Sequence, residues 1–156
     1  MLLEQRCAAA GLNVSTFVAE AGLPTTVEVT FAELPIMLCK ASLMKDTVSY
    51  NVLLRKDSPS AAKAVGRRIA PWDEAKWQSR VCAVALAVIR QKIAGDPRIR
   101  DFLRQHRGRL IAETSGEDRV WAIARTSTDP LARTPNEWLG ANVLGWAWMQ
   151  AESELG

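Results

Sequence analysis

Cysteine and histidine are scarce in this sequence. The 156 residues include three cysteines and one histidine. Cys7, Cys39 and Cys82 follow no metal-ligand spacing and form no even disulfide set. With His106 as the single histidine, neither a Cys/His metal centre nor a Ser-His-Asp triad has a basis here. We therefore expect no metal, reduced thiols and a cytoplasmic setting.

Long apolar runs are also absent. The start, "MLLEQRCAAAGL", contains an acid and too short an apolar run for a secretory signal, and no later segment is apolar enough to span a membrane. A hydrophobic content of 48% with 24% charged residues indicates an ordinary globular chain. Its length suits a single domain with a sizeable core, so we expect one domain over residues 1–156.

Tryptophan is the one abundant aromatic residue type. There are six, against one tyrosine and three phenylalanines. An indole offers a flat stacking face and one N–H donor, so this excess permits a pocket for an aromatic ligand. Large aromatic side chains also dominate ordinary cores, and that interpretation stays open.

The chain is mildly basic, with a net charge of +3 and a pI near 9.0. A basic face suits phosphorylated small molecules or nucleic acid, although such a face is often simply solvated. Much of the excess lies in the following residues: Arg67, Arg68, Arg90, Lys92, Arg98, Arg100, Arg104, Arg107 and Arg109.

Hydrophobic spacing predicts a mostly helical chain. From Leu34 onward, apolar residues fall at the intervals of one helical face. The segment "DSPSAAKAVG" places a capping Ser58 before Pro59 and ends at Gly66, as a compact helix would. Apolar side chains cover nearly the whole circumference over residues 81–89, which predicts a buried central helix. Further helices are predicted in "GDPRIRDFLRQHRG" and through "NVLGWAWM".

Two places favour short strands. "TTVEVTF", residues 25–31, alternates as a strand does. Between Leu110 and Pro130, two apolar segments flank a turn crowded with carboxylates, among them Glu113 and Asp118. Together these patterns predict an α+β fold, a single mostly helical domain with a few short β-strands.

Glu33 and Lys40 form the first candidate pair for chemistry. Seven residues separate them on a predicted helix, so they lie on roughly the same face, about 10 Å apart along the axis. Both could line one pocket, with an extended ligand between them. The alternative is a helix-start acid that complements the helix dipole and a lysine whose head reaches water.

Asp118 and Trp121 form the second candidate pair. Cleavage of a glycosidic bond commonly needs carboxylates that protonate a leaving group, position water or stabilise an oxocarbenium-like centre. A carboxylate close to an indole could be held in a partly apolar cleft. A charged surface turn explains the same residues, and both interpretations stay open.

Several segments resemble, in order, the motifs of the NADAR superfamily. "TFAELPIMLCKASLMKD" is similar to the family segment that typically reads T-x-E-H-Y-M-M-x-x-K-A-L-L-F-x-D. "DSPSAAKAVGRRI" and "WDEAKWQSRVCAVALAVIRQKI" resemble its next two blocks. The most specific likeness is that of "LIAETSGEDRVWAIARTSTDPLARTPNEWLGANVLGWAWM" to the C-terminal signature of the family. The resemblance runs from about Thr30 to Met149, and residues 1–32 stand as an atypical N-terminal segment.

The resemblance implies a NADAR-like α+β domain that acts as an N-glycosidase without metal or cofactor. Its substrate would be a phosphorylated ribosyl compound, either a riboflavin-pathway intermediate or ADP-ribose attached to guanine in nucleic acid. The catalytic residues it implies are Glu33, Lys40 and Asp118. The substrate-binding residues it implies are Trp77, Trp121 and Asn142. Among the basic residues, Arg67, Arg68 or Arg119 could hold the phosphate.

The roles implied by the resemblance follow from the chemistry of each side chain. Trp77 or Trp121 would stack on the base or the ribose. Glu33 and Asp118 would stabilise positive charge at the anomeric carbon and activate water or the leaving nitrogen. Lys40, with its pKa lowered by burial, could instead attack the anomeric carbon and form a transient imine.

The chain departs from the family pattern at several positions. The F-S-N-F-like motif upstream of the catalytic segment is not found in residues 1–32, and Leu34 and Pro35 replace the histidine and aromatic residue after the glutamate. Ala122 and Ala124 stand where the family has glycines, and their methyl groups could narrow the site. The arginine that often ends the last helix motif is also missing near residue 150.

Three functions therefore stay open at this point. The first is an active N-glycosidase. The second is a diverged relative with little activity that binds a nucleotide-like or ADP-ribose-like ligand or a protein partner. The third, based on the basic residues, is a nucleic-acid-binding module. The oligomeric state is left open, and no membrane partner is expected.

Overall fold

A computed structural model of the chain describes residues 15–24 and 26–155. The chain divides into two compact units by its internal contacts, Met1–Val84 and Ala85–Gly156. None of the helices within these described residues is long and apolar enough to cross a membrane. The expectation of one domain over residues 1–156 stays a prediction.

The first unit is built from short helices that pack around one longer helix. In chain order they are α1 (Ser15–Glu20), α2 (Glu33–Met44), α3 (Thr47–Leu53), α4 (Pro59–Gly66) and α5 (Glu74–Gln78). Helix α2 contacts α3 and α4 and buries the apolar face predicted from Leu34 onward. The residues buried on this face include Leu34, Ile36, Leu38, Ala41 and Met44.

The predicted start and end of α4 are confirmed. The Ser58 hydroxyl accepts a hydrogen bond from the Ala61 N–H at 3.4 Å, Pro59 occupies the first helical position and the helix ends at Gly66. A side chain on Gly66 would overlap the sulfur of Met37. The glycine therefore lets α4 lie close to α2. The Gly66 carbonyl oxygen accepts a hydrogen bond from Lys40 of that helix.

Helix α6 (Val81–Gly95) is the buried helix that the sequence predicts. Its apolar residues are excluded from solvent around most of the circumference between residues 81 and 89, as the sequence pattern requires. The buried residues in this stretch are Val81, Cys82, Val84, Ala85, Val88 and Ile89.

The second unit also contains α7 (Pro97–Gln105), two 3-10 turns (Pro130–Arg133 and Pro135–Glu137) and α8 (Val143–Ser153). Asp96 caps α7, because its carboxylate accepts a hydrogen bond from the Arg98 N–H at 3.0 Å. A turn that includes Gly108 at φ +74° follows the helix.

The prediction of an α+β fold is wrong, because the described part of the chain is helical and contains no β-strand. Residues 26–31 of "TTVEVTF" form no strand, and Thr25 lies outside the described residues. A strand needs a neighbour for its N–H and C=O groups, and the first unit offers no partner strand in its described residues.

The predicted strands around the acidic turn are absent for a different reason. The backbone carbonyls of residues 119–122 accept hydrogen bonds from the N–H groups of residues 141–144, at 2.8 to 3.1 Å. These N–H groups lie in the two residues before α8 and in the first two residues of that helix, where the helix itself offers them no acceptor. The carbonyls that a β-ladder would need are thus used to cap a helix. Ile123 still donates to the Glu113 carbonyl at 3.0 Å across the turn.

Replacing Gly145 with alanine is expected to destabilise the protein by about 1–3 kcal/mol, the usual cost of overpacking. A Cβ on this residue would overlap the carbonyl oxygen of Ile111 and the side chain of Asn142. Chemical denaturation monitored by circular dichroism measures the free energy of unfolding. Gly95→Ala is the matched control, since nothing lies within 4 Å of its Cβ. We expect that control to be neutral or stabilising, and an equal loss in both variants would contradict the packing argument.

Candidate functional site

Lys40 is at the centre of the candidate site in the first unit. It lies on α2, is half-buried, and its Nζ donates a hydrogen bond to the Gly66 carbonyl at 2.9 Å. The same nitrogen lies 4.4 Å from the ring centroid of Trp72 and 5.8 Å from that of Trp77. These two distances place the amine within cation–π range of both indoles. Lys40 and Trp77, two of the residues that the resemblance implies, therefore lie together in the first unit.

The two indoles differ in exposure. Trp77 is only 6% exposed, whereas Trp72 is 42% exposed. Their ring centroids are 6.1 Å apart, with an angle of 51° between the planes. Trp72 therefore offers a face to a ligand, and Trp77 supports it from below. The sequence reasoning named Trp77 and missed Trp72.

Glu74 holds the exposed indole in place. Its Oε2 accepts a hydrogen bond from the Trp72 Nε1–H at 2.9 Å, and its Oε1 accepts one from the Gln78 side chain at 2.7 Å. These two bonds keep the pKa of the Glu74 carboxyl below its usual range, and the bond from Gln78 has the larger effect. Asp73 caps helix α5, and Glu74 is the first residue of that helix. The segment "PWDEAKW" therefore holds both tryptophans and the acid close to one short helix. The sequence signal for this cluster was a helix cap, Asp73, with one tryptophan before it and one in the helix after it.

The environment favours the neutral form of Lys40. Burial lowers the pKa of its amine, and the negative charge of Glu74 opposes that effect without cancelling it. A neutral amine is the nucleophilic form, so a lowered pKa is the direction that a nucleophilic role for Lys40 would require.

Glu33 begins α2 and forms an ion pair with Lys63 of α4, at 3.3 Å. The Glu33 side chain is 30% exposed and that of Lys63 is 52% exposed. An ion pair this accessible contributes little to stability. Glu33 can therefore exchange its lysine partner for a ligand at small cost.

Arg67 and Arg68 follow α4 directly and are exposed. Neither guanidinium has a hydrogen-bond or ion-pair partner among the described residues. Arg67 is the neighbour of Gly66, whose carbonyl binds Lys40. The predicted phosphate ligands are thus available cations that lie close in sequence to the group holding the amine.

In the second unit, Asp118 organises its own turn. Its Oδ1 accepts hydrogen bonds from the backbone N–H groups of Val120 at 3.0 Å and Trp121 at 2.7 Å. This is the local pattern of an aspartate in an Asx-type turn. Oδ2 receives no hydrogen bond from the residues that the structure describes. One oxygen therefore shapes the turn, while the other stays available.

The Arg119 carbonyl accepts a hydrogen bond from the Ala141 N–H, and the Trp121 carbonyl accepts one from the Leu144 N–H. The Arg119 side chain is exposed and that of Trp121 is half-buried. The backbone around both residues is therefore fixed by α8. Their predicted roles in substrate binding stay predictions.

Asn142 is buried and connects separate parts of the second unit. Its Nδ2 donates to the Ile111 carbonyl and its Oδ1 accepts from the Glu113 N–H, both at 2.9 Å. Its backbone has φ +50°, a left-handed conformation that asparagine tolerates better than most residues. These contacts give the "NVLG" motif a role in the fold. The substrate-binding role implied by the resemblance stays a prediction.

The two alanines that replace family glycines lie in the core of the second unit. Ala122 is fully buried and Ala124 is 6% exposed. Ala124 has φ +54°, where a β-carbon costs roughly 1–2 kcal/mol relative to glycine. The methyl groups therefore pack inside the unit, and one of them occupies a conformation that suits the replaced glycine.

The predicted site residues divide between the units. Glu33, Lys40, Arg67 and Trp77 belong to the first, where Lys40 and Trp77 lie together; Asp118, Arg119, Trp121 and Asn142 belong to the second. Across residues 15–24 and 26–155, no group of three or more His, Cys, Asp or Glu side chains could hold a metal ion.

The chain belongs to the NADAR domain family, whose family model matches residues 9–156. Over 127 residues it is 25% identical to the protein named N-glycosidase R617 of Acanthamoeba polyphaga mimivirus, covering 81% of this chain and 75% of the relative. Over 128 residues it is 26% identical to the protein named irg-1 of Caenorhabditis elegans, again covering 81% of this chain. The chain spans 60% of the length of that second relative. The NADAR resemblance is thus confirmed, and the family match begins before Thr30.

Replacing Glu74 with glutamine is expected to lower the pKa of Lys40 further, because the carboxylate charge opposes the effect of burial. Glutamine keeps an acceptor for the Trp72 N–H. An NMR titration of the Lys40 side chain measures the change, and Asp57→Asn on the exposed surface is the control. A Lys40 pKa that stays constant in Glu74→Gln would contradict the proposed coupling.

The same lowered pKa has a consequence for stability. The unfolded chain binds the Lys40 proton more tightly than the folded one, so stability increases as pH rises through the folded pKa towards 10.5.

Replacing Asn142 with alanine is expected to destabilise the fold, because the partners on Ile111 and Glu113 lose their hydrogen bonds. Each buried polar group left unpaired costs about 1–3 kcal/mol. Asn142→Gly separates the causes, since glycine suits the positive φ but also loses both bonds. Denaturant titration should show a large loss in both variants. Full stability in either one would show that these hydrogen bonds do not support the fold.

Proposed function

We propose that this protein is an N-glycosidase that hydrolyses the N-glycosidic bond of a phosphorylated ribosyl compound. The observation that carries the proposal is the Lys40 amine, half-buried against two indoles with its pKa lowered by burial. Membership of the NADAR domain family and a relative named as an N-glycosidase support the same class of reaction. A cytoplasmic location and the absence of a cofactor are part of the proposal.

Trp72 is the surface on which the substrate's base stacks. Its exposed face, held by Glu74 and backed by Trp77, is the flat platform that a heterocycle requires. Stacking of a base on an aromatic side chain contributes about 1–3 kcal/mol in nucleic-acid complexes. Because the ring also contacts Lys40, a base placed there brings its ribosyl carbon near the amine.

In the first route Lys40 is the nucleophile. Its neutral Nζ attacks the anomeric carbon, the C–N bond breaks, and the electron pair leaves with the base nitrogen, which takes a proton from an acid. Nζ then loses one proton, and the ribose C–O ring bond opens as its oxygen gains a proton, which leaves a protonated imine. Water hydrolyses the imine to the free sugar phosphate and returns the lysine. Glu33 is the candidate acid, on the strength of its place in the family motif.

In the second route water attacks directly. The C–N bond breaks with its electron pair on the base nitrogen, and positive charge develops at the anomeric carbon. The water oxygen bonds to that carbon as Glu33 removes a proton from the water, and the proton is passed to the base nitrogen. Lys40 contacts the substrate without forming a bond. The accessible ion pair between Glu33 and Lys63 suits either route, because a ligand can displace the lysine. Asp118, which the family motif also marks, is tested separately.

The phosphate of the substrate is assigned to arginine. In the first unit Arg67 is exposed and its guanidinium has no partner in the described residues, and a guanidinium binds phosphate through two parallel hydrogen bonds. Arg119, in the second unit, is a separate candidate for the same role. Riboflavin-pathway intermediates and ADP-ribose attached to guanine, including guanine in nucleic acid, are the substrates to compare. Both combine a heterocycle, a ribosyl carbon and a phosphate.

A second function, ligand binding without turnover, is favoured by one observation. The candidate catalytic groups already have partners within the protein: Lys40 binds the Gly66 carbonyl, Glu33 binds Lys63 and Asp118 binds its own turn. In this alternative the same aromatic wall holds a nucleotide-like ligand, and the polar groups serve the fold.

Activity should depend on Glu33 and Lys40. We expect Glu33→Gln and Lys40→Met to lower kcat by about 100-fold or more, the usual scale for loss of a proton-transferring group. Chromatography of the free base and the sugar phosphate measures turnover on both substrate classes, with Asp118→Asn assayed alongside. Lys76→Met, on the exposed surface of α5, is the matched lysine control and should retain full activity.

Borohydride separates the two routes, since it reduces an imine to a stable adduct that mass spectrometry places on Lys40. An adduct in the native protein that is absent from Lys40→Met supports the first route. Turnover without an adduct supports direct attack by water. Tight binding with no turnover of either substrate class supports the binding function, and full activity in Lys40→Met excludes the lysine from catalysis.

A further inference from the structure

A cavity lies entirely within the second unit. It has a volume of about 710 Å³ and is lined by residues of α6, α7 and α8 and by the segment 109–111. Sites for small molecules commonly have volumes of roughly 300–1,000 Å³. None of the residues assigned to the glycosidase function above contributes to its lining.

The walls of this cavity are mainly apolar and aromatic. Phe102 is 58% exposed and Leu110 is 56% exposed, although both are large hydrophobic residues. Their exposure leaves apolar surface that a ligand could cover. The side chains that form these walls are Ile99, Phe102, Leu103, Leu110, Ile111 and Trp148.

The exposed phenylalanine is held as a flat platform. Its ring stacks on that of His106, with centroids 4.2 Å apart and an angle of 28° between the planes. The Nδ1 of His106 lies 2.8 Å from the Phe102 carbonyl, which can only accept, so Nδ1 carries the hydrogen. The two rings are therefore fixed relative to α7, and a further planar group can extend the stack.

The charges at the cavity rim leave a positive excess. Both acids in the lining have arginine partners: Asp96 binds Arg98 at 2.8 Å, and Glu152 binds Arg107 at 3.0 Å. Lys92 and Arg109 also line the cavity and have no carboxylate partner among the described residues.

Lys92 lies over the ring of Trp148, at 5.7 Å from its centroid. The unneutralised groups at the rim are therefore cations placed beside an aromatic wall. An anion is the complementary ligand charge.

We propose that this cavity is a second ligand site, which binds a planar aromatic small molecule carrying an acidic group. The ring stacks against Phe102 and the apolar wall, and the anionic group pairs with Lys92 and Arg109. Single-stranded nucleic acid would need a longer track of cations alternating with stacking faces than this cavity lines. The proposal does not depend on the glycosidase function, because the two use different residues.

The test uses a matched pair of probes. 8-Anilinonaphthalene-1-sulfonate is an aromatic anion, and N-phenyl-1-naphthylamine has nearly the same ring system without the sulfonate. Fluorescence titration of the whole chain should give saturable one-to-one binding of the anion. We expect Lys92→Gln and Arg109→Gln each to weaken binding of the anion by about 5- to 10-fold, as loss of a charge-assisted contact does. Binding of the neutral probe should weaken by less than about twofold.

Phe102→Ala should weaken both probes by about tenfold, because it removes the stacking face that they share. Phe102 is exposed, so this variant is expected to keep its thermal stability. Arg104→Gln is the control: it lies on the same helix and is exposed but does not line the cavity. Both probes should bind that variant as they bind the native chain.

Several outcomes would overturn the proposal. These are binding that does not saturate, equal losses for both probes in Lys92→Gln, or native binding by Phe102→Ala. Displacement of the sulfonate by a single-stranded oligonucleotide, lost in the same variants, would reassign the surface to nucleic acid. A dimer that Phe102→Ala dissociates would reassign it to contact between two copies.

Discussion

Polar backbone groups removed from water need partners, and this constraint shapes both units of the protein. In the second unit the N–H groups at the start of α8 have no partner within their own helix, and the carbonyls of residues 119–122 supply them. In the first unit the carbonyl at the end of α4 receives the Lys40 amine. The same requirement that completes a helix in one unit thus holds the candidate nucleophile of the other. A side chain on Gly145 would overlap the Ile111 carbonyl and Asn142, and one on Gly66 would have to displace the Met37 side chain.

The site in the first unit places the Lys40 amine beside two indoles, where burial lowers its pKa. Desolvation against the two indoles disfavours the charged amine, and Glu74 limits the shift while it orients Trp72. One acid therefore sets both the position of the stacking face and the protonation of the amine. A small cluster around α2 and α5 therefore brings together the indoles and the amine on which the proposed function depends.

The helices could be predicted from sequence because their signals are local. Spacing marked α2 and α6, and Ser58 with Pro59 marked the start of α4. The strands around the acidic turn were predicted wrongly. The carbonyls of residues 119–122 pair with N–H groups that lie at least twenty residues away, and no local pattern encodes that pairing. For the site, the family motifs led to Lys40 and Trp77. Trp72 was missed because its value lies in exposure and in the angle to its neighbour, which only tertiary packing sets. The hydrogen bonds of Asn142 to residues 111 and 113 could not be predicted either, because they join residues about thirty positions apart.

The bonds between residues 119–122 and the start of α8 also govern how the second unit can open. Helix ends normally fray, because their terminal groups bond only to water. Here the first turn of α8 cannot loosen without releasing the acidic turn, and Asn142 ties both to residues 111 and 113. Turn and helix therefore form one cooperative unit that is either closed or open as a whole. Asp118 is held within that unit, so its orientation is as rigid as the helix itself.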